Sequence, residues 1–386
     1  MRELGLLRDA AVVCRGGTIA WVGSMASLKV VDDLPEYDAS GKVVLPGFVD
    51  SHTHMMFAGD RSGEFAQRAS GTSYQEIAAG GGGILHTVRH VRQATKKELK
   101  RSTAHYLSEM LRQGTTTAEI KSGYGLDTAT ELRMLEGINE LAREEVSSVV
   151  ATFIGAHAVP PEFAGRQADY VRLVVEEMLP LVAQRGLASF CDVFCEQGYF
   201  SVEESRRILQ AALHLGLRAK LHAEELSPGR GAELAAELGA VSCDHLEQID
   251  QRGIAALAAC EVVATLLPGV SFFLNHGYAP ARTLIDRGVA VAIATDFNPG
   301  SCMAFSMPLM MTIACTQMQM TPEEALTAAT INGAAALGCA SERGSIEVGK
   351  AADLIVCDIP DYRHLAYHFG ANHVVRTIKD GTLLEF

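Results

Sequence analysis

The 386-residue chain carries 33 Lys and Arg against 46 Asp and Glu, a formal charge of −13 that repels nucleic acid and anionic lipid surfaces, so neither is expected as a partner. Its length suits one large α/β barrel with a small attachment, and 48% hydrophobic and 20% charged residues are ordinary for a globular protein with a sizeable core. A small anionic ligand stays acceptable, provided a local cation such as an Arg meets it.

The opening segment MRELGLLRDAAVV carries an early acidic residue and lacks a basic region followed by an apolar run, so no signal peptide is expected. Up to Gly47, the alternating run GGTIAWVGS and the turn signal ASGKVV predict β-structure. From Val49 onward, eight short, nearly continuous apolar runs recur: GFVDSHTH, TTTAEIKSG, VVATFIGAHA, FCDVFCEQGYF, RAKLHAEE, VSCDHLE, VVATLLPG and VAIATDFNPG. Each reads as a buried parallel strand tipped with chemistry at its C-terminal end.

Helical patterns separate the runs. ELRMLEGINELAREE places Leu132, Leu135, Ile138 and Leu141 on one stripe. TPEEALTAATINGAAALG reads as a helical stretch capped by Thr321, with Pro322 in its first turn and Glu324 closing a capping box. Strands alternating with helices imply a parallel sheet, and eight such units imply a (β/α)8 TIM barrel with its active site at the C-terminal strand ends. The stretch VVATLLPGVSFFL is too short to span a bilayer and is broken by Pro268 and Gly269. The tail, with GKAADLIVCD and VVRTIKDGTLLEF, is strand-like again. The expected division is a barrel over 48–342 and a small β-sandwich-like domain assembled from 1–47 and 343–386. Nine cysteines without zinc-finger spacing, Cys191 and Cys195 being the closest pair, suit reduced thiols in a cytoplasm. The glycines at 80–83 lack the context of a phosphate-binding loop and suit a mobile lid segment.

His52 and His54 stand two residues apart, so on a strand they face the same way and form a bidentate metal grip. Alone such a pair is weak evidence. His222, His245 and Asp296 end three further strands, and an uncompensated His or Asp at the tip of an apolar strand is costly to bury. The expected ligand set is His52, His54, His222 and Asp296, with His245 just outside it. Three imidazoles and a carboxylate suit one zinc ion first and an iron ion second. Glu225, three residues after His222, is the preferred proton shuttle, with Glu224 as its competitor. Arg61, after the first barrel strand, is the cation that an acidic protein needs for an anionic substrate. His86, His90, His105, His214, His364 and His368 read as surface or structural residues, and His276 is left open.

PGFVDSHTH, the His after strand five, DHLE and ATDFNPGS resemble the amidohydrolase superfamily. FAGDRSGEF, IKSGYGL, FIGAHAVPPE, KLHAEE and TDFNPGS together are similar to the imidazolonepropionase family, from about Gly16 to the C-terminus. The resemblance implies a cytoplasmic metal-dependent hydrolase of histidine degradation that opens 4-imidazolone-5-propanoate to N-formimino-L-glutamate. It carries metal binding to His52, His54, His222 and Asp296. It carries substrate contacts to Arg61, Tyr74, Tyr124, His157, Glu225, Asn298, Gly300 and Ser301, and an active-site role to His245. In the implied reaction a metal-activated water attacks the ring carbonyl with Asp296 as base, and His245 positions water or polarises the developing oxyanion. Glu225 then passes a proton to the departing nitrogen. A homodimer is the expected assembly.

Two departures matter. Strand four ends in CEQGYF without Lys, so a carbamylated-Lys binuclear site is not expected, although Glu196 there could approach the metal. Family members usually have a further short strand before LLRDAAVV, so either the small β-domain lacks an edge strand or the start codon lies upstream. Two other readings stand beside this one: a deaminase of an aminated heterocycle, and an inactive barrel scaffold.

Overall fold

A computed structural model describes residues 1, 3–29, 35–72, 76 and 81–386. Ala10–Arg15 (β1) and Thr18–Ser24 (β2) form an antiparallel pair, and Val43–Pro46 (β3) follows. The chain then enters eight parallel strands: Phe48–Asp50 (β4), Thr115–Lys121 (β5), Ser148–Ala156 (β6), Phe190–Cys195 (β7), Arg218–Ala223 (β8), Ser242–His245 (β9), Val263–Leu266 (β10) and Val291–Ile293 (β11). These are the eight runs read from the sequence. They hydrogen-bond in chain order from β4 to β11.

The ring closes just beyond β4 and β11. Thr53 bridges Phe297, the Asp296 amide donates to the His52 carbonyl at 2.9 Å, and the His54 amide donates to the Phe297 carbonyl at 3.1 Å. The Asp50 carboxylate braces the same seam, accepting from the Thr295 amide (3.0 Å) and hydroxyl (2.6 Å).

Leu354–Cys357 (β12), Val374–Lys379 (β13) and Thr382–Leu383 (β14) complete a four-stranded antiparallel sheet ordered β14-β13-β12-β3, so strands from both parts of the chain flanking the barrel share one sheet. Asp380 and Gly381 make its last turn, both with positive φ, as a tight hairpin requires. Ile19 of the β1–β2 pair packs with Ala352 and Leu354, which joins the two outer sheets through an apolar cluster.

The helix Thr128–Glu144 is capped by Asp127 and buries Met134, Leu135, Ile138 and Leu141. Leu132, expected on that stripe, is only half-buried, because a period of 3.6 turns the inner face toward Met134 instead. The capping box of Thr321 and Glu324 is present, but the stretch it opens is two helices, Pro322–Ala328 and Ile331–Ala336. The break lets the second helix lie directly on β4: a Cβ at Gly333 would stand 2.6 Å from the Val49 carbonyl oxygen. VVATLLPGVSFFL divides into β10 and the helix Pro268–Leu274, and no described helix is long and apolar enough to cross a membrane.

Candidate active site

The strand tips converge at the C-terminal mouth of the barrel. The ligand atoms of His52, His54 and His222 lie within 4.8 Å of one another. His54 Nε2 stands 3.2 Å from His222 Nε2, and Asp296 Oδ1 stands 3.4 Å from His52 Nε2 and 3.5 Å from His54 Nε2. All four side chains are buried. Burial pushes the His52 and His54 pKa values well below the ordinary imidazole value and that of His222 down to about 3. His52 Nε2 and Asp296 Oδ1 are buried without a hydrogen-bond partner among the described residues. Neutral imidazole nitrogens and a carboxylate oxygen aimed at one point repel one another unless a cation lies between them. The donor set therefore fits a metal ion.

Carboxylates behind the imidazoles hold the rings. Asp244 Oδ2 meets His52 Nδ1 at 2.6 Å, and Asp192 Oδ2 meets His222 Nδ1 at 2.9 Å. Each pairing directs the ring's Nε2 into the cluster. Sequence reading passed over both Asp residues, although SCDH and FCDV place a carboxylate inside a strand read as buried, and that was the available signal.

Asp296 has a positive φ of 49°, which re-aims its side chain at the end of β11. Its Oδ2 accepts from Asn298 Nδ2 (3.0 Å) and Ser301 Oγ (3.2 Å), which leaves Oδ1 for the cluster. Asn298 is fully engaged: Nδ2 also donates to the Asp296 carbonyl and to Ser301, and Oδ1 accepts the Gly300 and Ser301 amides. Expected as substrate contacts, Asn298 and Ser301 spend these polar atoms here on aiming Asp296.

Glu225 lines the pocket whereas Glu224 does not. Burial raises the Glu225 carboxyl to about 7, against the pull of His245. His245 lies between Glu225 and Glu247, 3.7 Å from each. Burial opposes its positive charge, but Glu225, Glu247 and Asp296 outweigh it and raise the imidazole to about 10. Glu247 was also missed in the sequence. Glu196 accepts the Leu226 amide at 3.0 Å and bonds the Ser227 hydroxyl, so it clamps the loop that carries Glu225.

The pocket above the cluster, about 700 Å³, is lined by Arg61, Tyr124, His157, Glu225, Asn298, Gly300 and Ser301 among others, and His276 also reaches it. Arg61 bonds Glu64 Oε2 through Nε (3.0 Å) and Nη2 (2.8 Å), which leaves the Nη1–Nη2 edge for an anion. Its Nη1 lies so close to Gly300 that a Cβ there would stand 2.1 Å away. His157 Nδ1 meets the Gly123 carbonyl at 3.1 Å, and burial lowers its pKa to about 4. The single proton of the neutral ring is thereby used. The free Nε2 is an acceptor. The ring stacks on His54, centroids 4.8 Å apart. Tyr124 is buried beside both rings. Tyr74 and Gly80 lie outside the described residues.

A sequence profile of the amidohydrolase family matches residues 43–384. The imidazolonepropionase of Parabacteroides distasonis is 51% identical over 386 residues, covering 99% of this chain and 93% of its own. That of Symbiobacterium thermophilum is 50% identical over 390 residues, covering 100% of this chain and 92% of its own. Among solved structures, 5-methylcytosine deaminase from Klebsiella pneumoniae gives a TM-score of 0.77 at 16% identity, over 97% of this chain and 94% of that one. An adenosine deaminase from Xanthomonas campestris with bound zinc gives 0.71 at 19% identity, over 98% and 88%. At these identities the structural likeness concerns the fold alone.

Proposed function

The chain belongs to the amidohydrolase family, in its imidazolonepropionase branch, and from that membership we propose that it opens the ring of 4-imidazolone-5-propanoate with water to give N-formimino-L-glutamate. The observation that carries this reading is identity of 51% and 50% with imidazolonepropionases along essentially the whole chain. The pocket chemistry supports it, since a buried metal-type cluster, a proton-carrying carboxyl and an Arg edge surround one cavity.

His52, His54, His222 and Asp296 would hold a metal ion, zinc by preference and iron second, which would supply Lewis acidity and make the attacking water more acidic. The chain's own groups do the rest. The Nη1–Nη2 edge of Arg61, with the Tyr124 hydroxyl, holds the propionate carboxylate. His157 Nε2 accepts a ring N–H. Asp296 takes a proton from the attacking water as its oxygen bonds to the ring carbonyl carbon. His245 lies beside the negative charge that develops on the carbonyl oxygen. Glu225 delivers a proton to the ring nitrogen as the C–N bond breaks, so the nitrogen leaves neutral.

The test follows imidazolonepropionate absorbance together with formiminoglutamate formation, with and without a chelator. Coupled loss and formation, abolished by the chelator and restored by added metal, is the expected result. Absence of formiminoglutamate, with ammonia released from cytosine, guanine or adenosine analogues, would replace the proposal with a deaminase.

A further inference from the structure

Beneath the metal cluster, five fully buried charged side chains that the reaction does not use form one network: Glu119 and Lys121 on β5, Asp192 on β7, Lys220 on β8 and Asp244 on β9. Two ammonium groups meet three carboxylates. Lys220 Nζ bonds Glu119 Oε1 at 2.9 Å and the Ser51 carbonyl at 3.0 Å. Lys121 Nζ lies 2.9 Å from Glu119 Oε2, 2.7 Å from Asp192 Oδ2 and 3.6 Å from Asp244 Oδ2. Such a network is weak evidence of stabilisation. Desolvating the ions costs much of what their attraction returns, and apolar replacements of similar volume are often neutral or better. A different reason for it is needed.

The atoms that Lys121 meets provide one. Asp192 Oδ2 is the oxygen that holds His222 Nδ1, and Asp244 Oδ2 is the oxygen that holds His52 Nδ1. One ammonium group thus stands behind two metal-binding histidines on separate strands. The donor atoms of His52, Glu119 and Asp244 also lie close enough together to hold a cation. The cations beside Glu119 and Asp244 are the chain's own: Lys121, and Lys220, whose Nζ lies 3.9 Å from the same Asp244 oxygen but reaches neither Asp192 nor His222 among the ion pairs of the described residues.

We propose that Lys121 is a positioning residue for the metal centre: its ammonium group fixes the two carboxylate oxygens that orient His52 and His222, and so sets the affinity for the ion without touching it. The proposal rests on the reading of the four-residue cluster as a metal site. It makes a prediction of definite sign. Removing a positive charge near a bound cation should, by Coulomb's law alone, tighten binding. Loss of the clamp should weaken it, by about 10- to 100-fold as for other groups behind metal ligands.

The experiment is a chelator competition titration with zinc on the intact protein, together with the visible spectrum of the cobalt-substituted form. It compares the parent, Lys121→Met and the charge-matched double variant Glu119→Gln/Lys121→Met. Weaker zinc binding and a shifted cobalt spectrum in both variants are expected. Zinc binding as tight as in the parent, or tighter, with an unchanged cobalt spectrum in either variant overturns the proposal. If Lys121→Met alone fails to fold, the double variant, whose buried charge matches the parent's, carries the test. If neither folds, Lys121 is a structural residue and the proposal falls. A parent protein that takes up no ion sinks the metal-site reading itself, before any variant is made.

Discussion

Asp296 divides its work between two oxygens, and the division decides what nearby substitutions do. With Oδ2 tied to Asn298 and Ser301, Oδ1 is left for the cluster. In the proposed reaction Asp296→Ala removes a ligand and the base together, and turnover should fall by at least about 10³-fold in a steady-state assay. A variant with parental kcat would refute the role. Asn298→Ala should lower kcat while leaving KM near the parental value, because in this structure its polar atoms serve Asp296. Arg61→Ala should act the other way. Loss of a charged hydrogen bond of about 1.5–3 kcal/mol predicts a rise in KM of roughly 10- to 100-fold with little change in kcat. The Glu225 carboxyl, raised to about 7 by burial, holds its proton below that pH and loses it above. As the donor to the departing nitrogen it should make kcat fall as pH rises through 7. Glu225→Gln should lower kcat by about 10²–10⁴-fold and abolish that limb, and a profile keeping the same limb would assign it to another group. The histidines and Asp296 were legible because each ends an apolar run. The direction in which loop side chains turn was not, since Asn-Pro-Gly spacing is the same whether Asn298 faces a ligand or bonds back to Asp296.

At the scale of elements, close packing of backbone on backbone sets the tolerances. Gly333→Ala would drive a methyl into the Val49 carbonyl of β4 and should cost about 1–3 kcal/mol, measured by urea unfolding. An unchanged unfolding midpoint would show that the helix Ile331–Ala336 can shift freely. Gly300→Ala would displace Arg61 and should raise KM without lowering stability. The eight barrel strands were legible because strands buried on both faces read as continuous apolar runs between helical patterns. The break between Pro322–Ala328 and Ile331–Ala336 was not, since its cause is the approach of β4, more than 270 residues away in the chain. The interior Lys and Asp residues were equally hard to read. They are scattered over four strands, two on β5 and one each on β7, β8 and β9, and only the closed ring brings the five together.

For the whole molecule, an ion that binds the native but not the unfolded chain adds stability by mass action, about 4 kcal/mol at a thousandfold excess over Kd. Chelation should therefore lower the melting temperature by several degrees, and added zinc should restore it. A melting temperature indifferent to both would mean that the four side chains gain nothing from an ion. The seam of the ring has a further consequence, for synthesis of the chain. The Asp50–Thr295 bonds span 245 residues, and His52 and Asp296 meet only when the last barrel strand docks on the first. Contacts of such long range form late and slowly. On the ribosome, a nascent chain stopped before β11 would carry three histidines but neither Asp296 nor the seam that aligns them. Metal capture would then be the last event of barrel assembly, a chemical report that the ring has closed.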